Sequence, residues 1–127
     1  GGRIPYLLMI EAEGGGGVAE TGVNTRSDYN QTASVTSSDG DTTGATITYT
    51  PFSDSAVIVK VNGLQINLGD GAKDQAAYFS ADGGTTARLV ADIAAGDVLY
   101  WMGSIIGYQL EADDEIDVVY DASSDDV

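Results

Sequence analysis

The groups in this sequence that could do chemistry are nearly all carboxylates. Asp70, Asp74 and Asp82 sit among glycines, and Asp113, Asp114, Glu115 and Asp117 crowd together further along. Oxygen donors at that density are what a calcium ion coordinates, because Asp-Gly loops bring carboxylate and carbonyl oxygens close together. Asp70, Asp74, Asp113 and Asp114 are the candidate ligands. Gly69-Asp-Gly-Ala-Lys-Asp74 nevertheless lacks the alternating acids and closing Glu of an EF-hand loop, and Lys73 puts a positive charge inside it. Asp and Gly are also the ordinary residues of turns. Turn chemistry is therefore the favoured reading, and neither a metal nor a cofactor is expected. Two carboxylates across a cleft would suit glycoside hydrolysis. No acid is set apart from the others in that role, so no catalytic residue is assigned.

The missing residue types narrow the chemistry further. With no cysteine there is no disulfide framework, thiolate nucleophile or cysteine-bound zinc. With no histidine there is no imidazole base, Ser-His-Asp triad or histidine metal site. An enzyme here would have to work with carboxylates, Lys, Tyr or Ser alone, so a non-enzymatic role is expected. Five basic against 20 acidic residues give a formal charge of −15. Phosphate backbones are bound through Lys and Arg, so nucleic acid is a poor partner, and anionic lipid is one for the same reason. The plain consequence of such a charge is solubility.

Tyr100, Trp101 and Tyr108 are the aromatic candidates for recognition. Neighbours on a strand point to opposite faces, so at most one of Tyr100 and Trp101 is expected to be fully in the core. The outward ring would then cover the sheet or stack on a sugar or a partner subunit. Tyr49, Phe52, Tyr78 and Phe79 read as core or as cover.

The elements that must position these groups are strands. Residues 57–68, Val-Ile-Val-Lys-Val-Asn-Gly-Leu-Gln-Ile-Asn-Leu, form a hairpin whose register is readable. Asn62-Gly63 best tolerates the two positive φ angles of a type I′ turn. A two-residue loop sets Val61 against Leu64, Val59 against Ile66 and Val57 against Leu68, all apolar and on one face, with Lys60 and Gln65 paired on the other. A ribbon oily on one side needs a second layer over it. Further strands are expected at 45–50, 76–81, 98–101, 105–110 and 116–120. Residues 85–90 are expected to pair with 76–81 across Asp82-Gly83-Gly84. Only 86–93 could make a brief helix, and its Thr and Val content argues for a strand.

The expected fold is thus a single antiparallel β-sandwich, all-β and jelly-roll-like, with about eight short strands. Residues 45–120 would be its core and 121–127 a frayed acidic tail. Residues 1–44 read as an N-terminal arm followed by loops and short edge strands. Within the arm, Ile4-Pro-Tyr-Leu-Leu-Met-Ile10 precedes four consecutive glycines. It is too short for the core of a signal peptide, and Pro5 suits an edge or an arm better than a central strand. Ile4, Tyr6, Leu7, Leu8 and Met9 are therefore candidate contacts with a neighbouring subunit, beside the alternative of an ordinary first strand.

The block 96–120 carries Leu99-Tyr-Trp101, Gly103-Ser104, Gly107-Tyr-Gln-Leu110 and Asp114-Glu-Ile-Asp117. It comes after Val61-Asn-Gly63, Tyr78-Phe-Ser80 and Asp82-Gly-Gly84. This succession resembles small virion proteins of tailed bacteriophages, of the head-decoration (cement) or fibre-associated type, over residues 57–120. The resemblance implies a particle component made in the host cytoplasm and placed on the outer capsid surface. Its partners would be the major capsid protein and copies of itself, as a homotrimer. The alternative is a carbohydrate- or host-receptor-binding module at a fibre tip, with Tyr100, Trp101 or Tyr108 as platform and possible assistance from calcium.

Overall fold

A computed structural model describes residues 23–31 and 41–123. Seven strands lie among them: β1 (Val23–Gln31), β2 (Asp41–Thr46), β3 (Ile58–Val61), β4 (Leu64–Ile66), β5 (Ala77–Ser80), β6 (Val98–Trp101) and β7 (Glu115–Ser123). A 3-10 turn spans Val90–Asp92, and a four-residue helix, α1, spans Gly103–Ile106. The strands form two antiparallel sheets, ordered β1-β7-β3-β4 and β2-β6-β5. The first strand pairs with the last and the second with the last but one, a nesting of jelly-roll type. The chain is an all-β sandwich. No helix among the described residues is long and apolar enough to cross a membrane.

Period-two patterning builds the core. Along β7, Ile116, Val118, Tyr120 and Ala122 are buried while the residues between them are not. They meet Val59, Val61 and Ile66 from their own sheet, and Ala77, Phe79, Leu99 and Trp101 from the other. Burying each large apolar group contributes about 1.5–3 kcal/mol. The hairpin has the expected register, with Val59 opposite Ile66, Lys60 opposite Gln65 and Val61 opposite Leu64. Asn62 and Gly63 take φ of 51° and 84°, as a type I′ turn requires. Two of its six apolar residues depart from expectation: Leu64, beside the turn, is 65% exposed, and Leu68 bridges Ala77 of the other sheet instead of facing Val57.

Other expectations need correction. Residues 85–90 make no strand. They keep one main-chain bond to β5, from the Arg88 N–H to the Phe79 carbonyl at 2.8 Å, while Ala87 packs with Tyr78, Tyr100 and Met102, and they lead into the 3-10 turn. Residues 105–110 are not a strand either. Helix α1 bends the segment back, and the Trp101 Nε1–H donates to the Tyr108 carbonyl at 2.9 Å. The strand expected at 45–50 lies at 41–46. Its early residues are polar yet buried: the Thr43 hydroxyl donates to the Leu99 carbonyl and accepts from the Ala45 N–H. The sandwich therefore does not begin at residue 45, and residues 121–123 are strand rather than frayed tail.

Strand β1 is one of the two edge strands of its sheet, and its described side chains make polar contacts. It pairs with β7 from Val23 opposite Ser123 to Gln31 opposite Glu115. Thr25 and Ser27 hydroxyls donate to Asp121 and Asp117, and the Arg26 guanidinium reaches the Ser123 carbonyl. Arg26 also lies over the Tyr49 ring, 4.1 Å from its centroid.

Candidate functional site

One group of exposed polar and aromatic residues lies where the β3–β4 turn meets the segment between α1 and β7. Two turns are locked together there. The Asn62 side-chain amide donates to Asp114 Oδ1 at 3.1 Å, and the Glu115 N–H donates back to Asn62 Oδ1 at 3.0 Å. The Asn62 N–H donates to the Glu115 carbonyl at 2.8 Å. Asp114 Oδ2 accepts the Glu111 N–H at 2.9 Å, while the Asp114 N–H donates to the Glu111 carbonyl. Asp114 thus closes its own turn with one oxygen and holds the hairpin with the other, the local bonding that makes Asp and Asn turn residues.

Between these turns lies an open groove of ≈ 580 Å³, lined by Val61, Asn62, Leu64, Tyr108, Gln109, Glu111 and Asp114. Tyr108 is 43% exposed, and its ring leans on Trp101 at a centroid distance of 5.2 Å and 56°. Partial burial and the nearby Asp114 charge raise the Tyr108 phenol above its ordinary pKa. The hydroxyl therefore stays neutral at physiological pH, able to donate and accept. Below the groove, Gln109 Nε2 donates to Asp41 Oδ2. Asp41 is buried, and its Oδ1 has no partner among the described residues. A Cβ at Gly103 would sit 2.0 Å from Gln109 Oε1, so a larger residue there would displace that amide.

The sequence candidates scatter. Trp101 and Tyr108 come together, but Tyr100 does not join them. It lies on the other face of β6, stacked on Tyr78 at 5.5 Å and 15°. Both Tyr100 and Trp101 are buried, correcting the expectation that one would face outward, because the 81–89 segment covers the face a lone sheet would leave open. Neither ring can be a stacking platform. Ile4, Tyr6, Leu7, Leu8 and Met9 lie outside the described residues. Among the acids, Asp70 Oδ1 accepts the Val90 N–H at 2.8 Å and Asp114 caps as above, while Asp74 and Asp113 are exposed. Among the described residues no three acidic side chains converge as metal ligands would.

Three more side chains are committed to structure. Asp82 accepts the Thr86 N–H and the Ser80 hydroxyl, bonds that hold its carboxyl down to about 2. Asp97, 3% exposed, accepts Arg88 Nε at 3.0 Å and the Ala94 N–H at 2.9 Å. The Tyr120 hydroxyl donates to Asp28 and accepts the Tyr49 N–H.

The sequence reading missed Asn62, Leu64, Gln109 and Glu111 as groove residues. Leu64 had a signal: it is the first residue after the turn, where a sandwich frays. Gln109 and Glu111 had none, since only the reversal of the chain after α1 brings them to the hairpin. Comparison with protein-family models, with curated proteins and with solved structures finds no match to this chain.

Proposed function

We propose that this chain is a non-enzymatic structural protein of a tailed-bacteriophage particle, decorating the outer capsid surface through contacts with the major capsid protein and with copies of itself as a homotrimer. Neither nucleic acid nor membrane is a partner in this reading. The observation that carries it is the work done by the residues on which the resemblance rests. Asn62 and Gly63 close the tightest turn and bind the hairpin to the 111–115 turn. Tyr78, Phe79 and Ser80 are buried along β5, Tyr78 on its outer face and Phe79 on its inner one. Ser80 and Asp82 bond the turn that follows, and Trp101 fixes the return of the chain at Tyr108. These are framework tasks, which a shared pattern of turns and core residues serves and a catalytic signature does not. A net charge of −15 supports an outward-facing position, away from packaged nucleic acid.

The test is reconstitution. The purified chain is added to capsids from which it has been removed, and binding is followed by co-sedimentation and electron microscopy. Light scattering gives its mass in solution. Saturable binding at symmetry-related sites and a mass three times that of the chain are expected. A monomer that fails to bind the stripped capsids refutes the proposal.

A further inference from the structure

We propose that the groove between the β3–β4 turn and the 107–114 segment is a binding site for a neutral sugar ring, with Tyr108 as the stacking face. Tyr108 is 43% exposed on the groove. The Tyr108 ring is held in place, because its carbonyl accepts the Trp101 Nε1–H at 2.9 Å and its ring leans on the Trp101 indole. Only a small part of the ordering cost then remains when a ligand arrives. Leu64 stands exposed on the same groove and offers a second apolar contact for the C–H face of a ring.

The polar lining selects the class. Asn62 and Gln109 present amides, and Glu111 and Asp114 present carboxylates. Vicinal hydroxyls, each both donor and acceptor, match such a mixture. Among the described residues the groove is lined by the carboxylates of Glu111 and Asp114 and by no Lys or Arg, a lining that disfavours sugar acids, sialylated glycans and phosphates. A volume of ≈ 580 Å³ lies within the usual range of small-ligand sites, roughly 300–1,000 Å³, and suits one or two sugar rings. The hydrogen bonds joining Asn62, Asp114, Glu111 and Glu115 fix the walls beforehand. This inference does not rest on the capsid reading, since a glycan site would serve a decoration protein or a fibre module equally.

The experiment applies the full chain to an array of neutral and anionic glycans, then titrates the best neutral binder by calorimetry. A basic peptide, oligolysine, serves as the control for simple attraction to the acidic walls. Binding of a neutral glycan is expected, weakened about tenfold or more by Tyr108→Ala and much less by Tyr108→Phe, which keeps the ring. Tyr108→Ala retains the backbone carbonyl that Trp101 holds but loses the ring contact with the indole, so it should fold with a modestly lower melting temperature, which Tyr108→Phe should not show. Absence of any neutral glycan on the array overturns the proposal. So does affinity unchanged by Tyr108→Ala, or binding confined to anionic glycans or to oligolysine. Capsid reconstitution is a separate measurement, so either idea can fail while the other stands.

Discussion

Tyr120→Phe is the sharpest test of how the sandwich is tied across its layers. Tyr120 is 1% exposed and sits on the inner face of β7. Its hydroxyl donates to Asp28 Oδ2 of the edge strand at 2.7 Å and accepts the Tyr49 N–H at 2.9 Å, so one oxygen links β1, β7 and the segment after β2. Removing it deletes a bond to a charged group, worth about 1.5–3 kcal/mol, and leaves the Tyr49 N–H without its acceptor. Asp28 Oδ2 keeps the Thr48 N–H at 2.8 Å, so the carboxylate is not orphaned. The phenyl ring still fills the core and adds no cavity cost. The net expectation is about 2 kcal/mol, or about 6–10 °C in melting temperature for a domain of this size. Urea unfolding should show a lower midpoint at an unchanged slope. Alkaline pH gives an independent readout. Burial first, and then the bond to Asp28, raise the Tyr120 phenol above its unfolded value of 10.0. A group with a raised folded pKa stabilises fully below the unfolded pKa, and that contribution drains away as pH rises past it. The parent should therefore lose stability above pH 10 more steeply than the variant. A loss under about 0.5 kcal/mol, or identical alkaline limbs, would refute this reading of the hydroxyl.

Two turn glycines should separate conformational cost from steric cost. Gly63→Ala, at φ of 84° with nothing within 4 Å, should cost only about 1 kcal/mol in chemical denaturation. Gly84→Ala, at φ of 92°, drives a Cβ to 2.8 Å from the Tyr100 ring and should cost clearly more, about 2–4 kcal/mol, with the near-UV circular dichroism of the Tyr78–Tyr100 stack altered. Asp97→Ala removes a buried acceptor shared by Arg88 and the Ala94 N–H. A loss of about 2–4 kcal/mol is expected, less than for a fully buried pair because Arg88 can reach water. The depressed Asp82 carboxyl contributes stability that is present above its ordinary 3.8 and is lost as pH falls through about 2. Melting curves from pH 5 to 2 should therefore fall less steeply for Asp82→Asn than for the parent, and parallel curves would contradict that assignment.

The parts of the fold legible in the sequence are those where one rule acts alone. Asn62-Gly63 between alternating apolar residues fixes turn type and register together, and the structure has both. Ile116, Val118 and Tyr120 alternate cleanly and form a strand with one face in the core. What hydrophobic pattern could not find are strands stabilised by polar bonds. β1 is Val-Asn-Thr-Arg-Ser-Asp-Tyr-Asn-Gln, whose described side chains bond to Asp121, Asp117 and the Ser123 carbonyl rather than filling the core. β2 buries Asp41 and Thr43, each tied to a group far along the chain. Such partners are invisible until the fold brings them near. Ile105-Ile106 reads as strand by composition, yet a four-residue helix forms there because the segment is anchored at both ends, by Met102 at its start and by the Trp101 indole beyond it.

The same distinction governs the site. Strand alternation correctly sends Tyr100 and Trp101 to opposite faces, but exposure depends on what lies over each face, and only the long loop after β5 decides that. Once both rings are covered, the one aromatic candidate left exposed is the one attached to Trp101 by a hydrogen bond and a ring contact. The core tryptophan thus does double duty, filling the sandwich with its ring and aiming Tyr108 with its N–H. Asp114 does the same on the opposite wall, closing one turn and holding another. A groove whose walls are made from the fold's own fastenings is rigid by construction, and rigidity is what an open, shallow site needs if a few contacts are to hold a ligand.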